Sequence, residues 1–383
     1  MGIAITLLAL VCYNNIVMRG GAFLDSNSTE VAPSSKQANE KIAEIEAMIN
    51  RRFLHDIDVN NMTESMYAGL VAGLGDEYSL YFTREEFEQA MQSLSGHYQG
   101  IGIILVMGKD NTDVVVGHVY DGAPAKEAGV RAQDIITHID GEDISGQLLE
   151  DIAKTIREGE EPSVTLTIKR EGEEQPLEIE VTKGDIDVPS VASKMLEDNV
   201  GLITIFQFTQ STPTQFEAEY KKLKSEGMAR LLVDLRDNPG GSLPGVCDTL
   251  SVFMPKGLLV YSQDRQGERV EFESDGANPI DIPLVVLVNG HSASASEIFA
   301  GAVKDHQVGT IVGETTFGKG VVQSIFNLSD GSALKLTTSQ YFTPNGVDIN
   351  GRGITPDVEV KTPDDVGEQD VQLDKAIEIL TAK

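Results

Sequence analysis

The sequence predicts a chain in three parts: a small helical module, a β-rich domain and an α/β core. Two changes of hydrophobic period carry that prediction. Near Gly96 the apolar spacing passes from three-to-four to alternation, and after Val188 it passes to short apolar runs separated by helical stretches. A polar stretch ahead of Ala38 separates these parts from an apolar N-terminus.

The N-terminal run IAITLLALVC, Ile3 to Cys12, is shorter than the ~20 apolar residues a spanning helix needs. It is closer to the core of a signal peptide, although Arg19 follows it where basic residues would be expected to precede it. Residues 1–24 are therefore expected to be a signal peptide or a short membrane anchor, and residues 25–37 (DSNSTEVAPSSKQ) a flexible linker. Both imply a protein working outside the cytoplasm.

Within 38–95, Ile42, Ile45, Met48, Ile49 and Phe53 recur at helical spacing. A second run, opening at Thr63, carries Met66, Leu70, Val71 and Leu74 and stops at Gly75, and Thr83-x-x-Glu86 predicts a capped third helix. Within 96–183, Ile101, Ile103 and Leu105 alternate, as do Val114 and Val116, and Val164, Leu166 and Ile168; one helix, Leu148 to Arg157, interrupts them. Within 184–383, GLITIFQF, RLLVDL, PLVVLV and GTIVG read as buried strands with helices between them.

The 383 residues carry a formal net charge of −30, from 30 basic and 60 acidic residues. That balance leaves no basic footprint for a phosphate backbone, so nucleic-acid binding is excluded. The two cysteines, Cys12 and Cys247, make no disulfide framework, and neither CxxC nor HExxH occurs, so no metal or organic cofactor is expected.

Two motifs fail on inspection. Gly313 to Lys319 nearly spells a phosphate-binding loop, but Gly320 stands where Ser or Thr is required and a strand pattern follows. Gly290-His-Ser-Ala-Ser294 resembles a nucleophile elbow, but Ser294 takes the place of its last glycine.

Three other segments hold more promise. In NGHSASASEIFAGAVKD, Asn289 to Asp305, the serines stand at a strand-to-helix junction, where unpaired N–H groups can stabilise an oxyanion. Ser294-x-x-Glu297 equally fits a helix cap. In TFGKGVVQ, Lys319 lies between Gly318 and Gly320, and on a strand it would share a face with Val321 and Gln323. A solvated lysine fits that segment too. LRDNPGGS, Leu235 to Ser242, ends a strand in a glycine turn able to present N–H groups or simply to turn tightly.

Together LLVDLRDNPGGSL, GHSASASEIFAGAVKDH and VGETTFGKGVVQ, in this order and spacing, resemble the carboxyl-terminal processing peptidases, or tail-specific proteases. GLGDEYSLYFTREEFE is similar to that family's helical segment, with Glu77 where proline is usual. YQGIGI, DGAPAKEAGVRAQDIITHIDG and SVTLTIKR resemble its inserted PDZ domain, and TPNGVDINGRGITPDVEV its closing segment.

The resemblance implies an α/β protease core (184–383) with an inserted β-rich PDZ domain (96–183) and an N-terminal helical module (38–95). It implies a serine endopeptidase cutting at or near protein C-termini, with Ser294 as nucleophile, Lys319 as base and Gln323 as its orienting partner. The oxyanion donors would be the N–H of Ala295 and that of Gly240 or Gly241. Gln99, Gly100, Ile101, Gly102 and Ile103 would form the loop that takes a peptide's terminal carboxylate, with Arg157 a further ligand or a helix-terminal cation. Partners would be proteins or peptides with exposed C-termini; a membrane tether and a homo-oligomer are compatible with this. The expected site is the outer face of a bacterial cell membrane, or beyond it.

A lysine can act as base only when uncharged. Among the six histidines, His291 and His306 are rival bases. A silent PDZ adaptor and a small-molecule amidase are the rival functions; intact Ser294, Lys319 and Gln323 argue against the first, and the carboxylate loop against the second.

Overall fold

The computed structural model describes residues 36–108, 113–159, 161–362 and 369–382; the apolar N-terminal segment and the linker up to residue 35 lie outside them. Helix α1, Lys36–Arg52, follows the predicted period, yet none of its residues is buried. Ile45, Met48, Phe53 and Leu54 are all exposed. Helix α2, Val59–Ala72, starts a turn earlier than its apolar run suggests, because Asp58 caps it through the Asn61 N–H at 2.9 Å. A short strand the sequence reading missed, β1, Leu80–Phe82, precedes α3, Arg84–Ser95. The predicted cap of α3 is formed in both directions, Thr83 N–H to Glu86 at 2.9 Å and Glu86 N–H to Thr83 at 3.3 Å.

Strand β2, His97–Gly100, pairs antiparallel with β9, Gly184–Asp187, bringing Gly100 opposite Gly184. The chain thus enters and leaves the β-rich domain through neighbouring strands. Between them lies the antiparallel sheet β3 (Ile103–Met107), β4 (Val114–Val119), β5 (Ile135–Ile139), β7 (Ser163–Lys169), β8 (Leu177–Thr182), with β6 (Glu142–Asp143) on β5. The short helix α4, Pro124–Glu127, and α5, Leu149–Glu158, complete it. Val116, Ile152, Leu166 and Ile168 fill its core from opposing elements.

The α/β core is a six-stranded sheet ordered β10 (Val191–Met195), β11 (Val200–Ile205), β12 (Arg230–Asp234), β15 (Leu284–Val288), β16 (Thr310–Gly313), β19 (Val358–Glu359). Only the β10–β11 pair is antiparallel. All five residues of β15 are buried, as a strand covered on both faces requires. One side carries α6 (Thr212–Ser225), α7 (Leu243–Ser251) and α8 (Ala295–Asp305), joined by the ring contacts Phe208–Phe299, Phe253–Phe299 and Phe216–Phe253. The other side carries α9, Val371–Thr381, whose Ala376 and Leu380 pack with Leu232, Val285 and Val312. Strands β13, Gly257–Asp264, and β14, Arg269–Ser274, form a hairpin between α7 and β15. Cys247 is buried and free.

Strands β17, Val321–Asn327, and β18, Ala333–Phe342, follow β16 and pair with each other. By internal contacts the described chain falls into two units. One holds 89–322 and 339–382, hence the β-rich domain and the α/β core; the other holds 36–88 and 323–338. In the second unit β1 pairs antiparallel with the start of β18, Leu80 opposite Lys335. Among the described residues no helix is long and apolar enough to cross a membrane.

Candidate active site

Parallel strands deliver their C-terminal ends to one edge of a sheet, and ligands collect there. Here β12 runs into LRDNPGGS, β15 into NGHSAS and β16 into ETTFGKG, so neighbouring strands bring the three segments together.

The three serines of SASAS have different fates. Ser292 donates its hydroxyl to the Leu235 carbonyl at 2.7 Å, and Ser296 donates to the Asn238 carbonyl at 3.0 Å. Both hydroxyls are thus spent on tying α8 to the loop after β12. The Ser294 hydroxyl forms no hydrogen bond among the described residues, although the residue is 1% exposed. Ser294 also holds φ 55° and ψ −112°, outside the regions an L-residue favours. Such a backbone costs on the order of 1–3 kcal/mol and persists only where its surroundings enforce it.

Glu297 does the enforcing. Its Oε2 accepts the Ser294 N–H at 2.8 Å and the Lys319 N–H at 2.8 Å. Its Oε1 accepts the Thr316 hydroxyl at 2.6 Å and the Gly318 N–H at 2.7 Å. Burial pushes this carboxyl above its usual pKa, and the bonds from Thr316, Gly318, Ser294 and Lys319 oppose that push. The spacing Ser294-x-x-Glu297 signals a helix cap, and half of that cap exists. The same carboxylate also fastens the lysine segment, which spacing alone does not reveal. Thr316, which receives the Ile354 N–H at 2.6 Å, was missed for the same reason.

Lys319 is 6% exposed. It precedes β17 instead of lying on it, so the expected strand alternation with Val321 and Gln323 does not start at this residue. Its flanking glycines are there for space: a Cβ on Gly320 would stand 2.3 Å from the Asn350 nitrogen, and one on Gly318, at φ +92°, 3.1 Å from that of Arg352. Gln323 is fully buried on β17; its Nε2 donates to Thr337 at 3.3 Å and its Oε1 has no hydrogen-bond partner among the described residues.

In the glycine turn, Gly240 stands so close to the serine turn that a Cβ would lie 2.6 Å from the Ala293 carbonyl oxygen. Its N–H is taken by Asn238 Oδ1 at 2.9 Å. The backbone hydrogen bonds around it run from Phe208 N–H to Gly240 and from Ser242 N–H to Phe208, and the N–H of Gly241 makes none among the described residues. Asp237, Asn289 and His291 fasten this turn to the serine loop: Asn289 donates to Asp237 at 2.9 Å and accepts its N–H at 3.0 Å.

The rival histidines are occupied elsewhere. His291, 81% exposed, meets Asp237 at 2.9 Å, and His306 Nε2 donates to the Leu258 carbonyl at 2.7 Å.

In the β-rich domain, Ile101 turns its side chain into the core, so only its backbone remains for a ligand. The Ile101 and Gly102 carbonyls already accept the N–H groups of Ala125 and Tyr120. Gly102, at φ +77°, leaves no room for a Cβ against Ala123. Gly100 is buried, Ile103 opens β3, and Gln99 donates its side chain to Asp185. Arg157, in the last turn of α5, lies near Tyr98, whose hydroxyl is pushed up to about 12 by burial and Tyr120 while the Arg157 charge opposes.

Residues 199–360 match the model of peptidase family S41, and residues 115–170 match a PDZ domain. The chain is 36% identical over 331 residues to a CtpA-like serine protease of Staphylococcus aureus strain MSSA476, covering 85% of this chain and 66% of that one. It is 33% identical over 342 residues to the CtpA-like serine protease of Staphylococcus haemolyticus, covering 88% and 68%. The chain therefore spans about two thirds of the length of the curated relatives it matches. A solved structure, the photosystem II D1 C-terminal processing protease, superposes with TM-score 0.50 at 28% identity, covering 89% of this chain and 91% of that one.

Proposed function

Because the chain belongs to peptidase family S41, we propose that it is a serine endopeptidase in which Ser294 and Lys319 form the catalytic dyad and the PDZ domain selects exposed protein C-termini. The observation that carries this reading is the Glu297 carboxylate oxygen shared by the Ser294 and Lys319 N–H groups. It joins the one unengaged serine of SASAS to a buried lysine.

The chemistry runs as follows. Neutral Lys319 takes the Ser294 hydroxyl proton as Oγ attacks the scissile carbonyl carbon. The carbonyl oxygen becomes an oxyanion, accepted by the N–H of Ala295 at the start of α8 and that of Gly241, since the N–H of Gly240 is committed to Asn238. Collapse breaks the C–N bond, and the lysine ammonium protonates the departing amine. Water, deprotonated by the same lysine, then hydrolyses the acyl-enzyme ester. An ordinary lysine, with a pKa near ~10.4, is protonated at neutral pH. Burial of the amine disfavours that charge, and the 6% exposure of Lys319 supplies the desolvation. Gln323 orients the amine without adding charge.

The Gln99–Ile103 segment, opening onto β3, suits a terminal carboxylate and a peptide strand added beside it, with Arg157 as a further cation. The photosystem II relative's name describes C-terminal processing of D1; for this chain we extend that only to proteins with free C-termini, met outside the cytoplasm. The test is turnover of an unfolded protein with a free against an amidated C-terminus. Preference for the free form supports the reading, and equal turnover removes C-terminal selection from it.

A further inference from the structure

Asn238, in the loop that leads to the glycine turn, is fully buried, and each of its four polar atoms is engaged. Its side-chain NH2 donates to the carbonyl of Ile205, the last residue of β11, at 2.8 Å, and its side-chain oxygen accepts the Gly240 N–H at 2.9 Å. Its backbone N–H donates to the Leu235 carbonyl at 3.2 Å. Its carbonyl accepts the Ala293 N–H at 3.1 Å and the Ser296 hydroxyl at 3.0 Å. One residue thus ties together the ends of β11 and β12, the glycine turn and the serine loop.

The polarity of this amide is fixed from both sides. A backbone carbonyl can only accept and a backbone N–H can only donate, so the NH2 faces Ile205 and the oxygen faces Gly240. Between them stands Pro239, which has no N–H and a preset φ, so the asparagine oxygen closes a two-residue turn on Gly240. The turn beyond it has no side chains to hold it: Gly240 and Gly241 stand at φ +102° and +138°. A Cβ on Gly240 would lie 2.9 Å from the Ala295 nitrogen, and one on Gly241 1.9 Å from the Phe208 carbonyl oxygen. The glycines are therefore threaded between the first N–H of α8 and the chain at Phe208. Their placement depends on the hydrogen bonds that grip their backbone.

We infer that Asn238 is a positioning residue for the oxyanion site: by holding the Gly240 N–H, its amide sets the turn so that the Gly241 N–H is presented together with that of Ala295. The inference rests on the reading above that these two N–H groups receive the oxyanion formed when Ser294 attacks. A count of donors and the geometry predict opposite results. Removing the Asn238 amide frees the Gly240 N–H and adds a donor to the site. It also releases the turn, and a preorganised donor stabilises a developing charge where a mobile one does not.

The test uses the full chain, fluorescein-labelled β-casein as substrate and the boronic acid analogue of trialanine as inhibitor. The tetrahedral adduct of that inhibitor with a serine hydroxyl places an oxygen where the oxyanion forms. Asn238→Ala should lower kcat about a hundredfold, the lower end of what loss of one oxyanion donor costs. Affinity for the boronic acid should fall by about the same factor while KM stays within about threefold, because the interaction is made only in the transition state. In Asn238→Ser the hydroxyl accepts the Gly240 N–H more weakly, so kcat should recover about tenfold over Asn238→Ala. Ser and Ala are nearly equal in volume, so a packing role gives both the same loss. A measurement on the wild type needs no variant to fold: with isotope-labelled glycine, amide exchange should show the Gly240 N–H protected in the free enzyme and the Gly241 N–H protected only with the boronic acid bound. Equal losses in Asn238→Ala and Asn238→Ser overturn the inference, as does wild-type kcat in a folded Asn238→Ala or a freely exchanging Gly240 N–H. Each of these leaves the dyad standing when Ser294→Ala is inactive. Wild-type turnover and boronic acid affinity in Ser294→Ala overturn the reading and the inference together.

Discussion

The backbone N–H groups of Ser294 and Lys319 end on the same oxygen, Glu297 Oε2, each at 2.8 Å. One carboxylate thereby sets the height of the serine turn relative to the lysine loop. Glu297→Gln tests this with little change of volume. A glutamine side chain offers one acceptor oxygen where four donors converge, so two of them lose their partner. We expect kcat to fall about a hundredfold, the loss typical of an ångström-scale misplacement of reacting groups. The KM for an unfolded protein should change little. Wild-type kcat in a folded Glu297→Gln would show that the shared oxygen is incidental.

The three serines should separate cleanly. Ser294→Ala should abolish turnover and leave the fold and peptide binding intact, because its hydroxyl makes no hydrogen bond among the described residues. Ser292→Ala and Ser296→Ala each remove one side-chain hydrogen bond to the carbonyl of Leu235 or Asn238, both of which keep a backbone N–H donor, and should cost about 1 kcal/mol of stability while substantial activity remains. Denaturant unfolding beside a turnover assay reads both quantities. Full activity in Ser294→Ala would move the nucleophile elsewhere.

Acid sensitivity follows from the pair that anchors α9. Arg236 donates to Asp370 at 2.8 Å and to Asp234 at 2.7 Å. Burial raises the Asp370 carboxyl, yet the bonds from Arg236 and the Leu373 and Gln372 N–H groups outweigh it and leave the pKa lowered from 3.8. A depressed carboxyl adds stability above its unfolded-state value, and that contribution is lost as pH falls through the folded-state value. Asp370→Asn should therefore be less stable than wild type at neutral pH, by about 1 kcal/mol or less because the carboxylate is partly exposed. The difference should close as the pH drops below 3.8. A difference that persists unchanged in acid would assign the effect to packing.

The β2–β9 pair supplies a place to remove the PDZ domain. Gly100 lies opposite Gly184, so a tight turn joining them replaces residues 101–183 without stretching the chain. The shortened enzyme should keep the chemical step and lose its preference for a free, apolar C-terminus. Competition between free and amidated substrates measures this, and an undiminished preference would put selection in the protease core.

Much of this was legible from residue order. The alternating Val164, Leu166 and Ile168 and the continuous LVVLV of β15 gave their strands because each burial pattern leaves its own period. Gly318 and Gly320 frame Lys319 in the sequence, and the close approach of the chain at 350–353 explains why both are glycine. What stayed hidden depends on partners distant in sequence. The apolar spacing of Ile42, Ile45 and Met48 predicts the helix correctly, but the spacing cannot say whether anything covers them, and they are exposed. Glu297 looks like a cap because its local bond is the one that spacing encodes. Asp76 and Ser79 lie in GLGDEYSLYFTREEFE, whose likeness to a helical segment says nothing of Thr337, and only the pairing of β1 with β18 brings Thr337 to Ser79.

The central claim is that Lys319 acts as a neutral base on Ser294, and the Lys319→Arg variant tests it most directly. Arginine preserves the positive charge but stays protonated at any usable pH. Bringing a lysine from a pKa near ~10.4 down to 7 requires roughly 4–5 kcal/mol of preference for the neutral amine, and a guanidinium, which starts higher still, does not reach neutrality. The wild type should show kcat/KM rising with pH along a single limb. Lys319→Arg, with thermal unfolding showing it folded, should be nearly inactive across the whole range. Substantial turnover of an unfolded protein by Lys319→Arg would contradict the dyad and return His291 or His306 as the base.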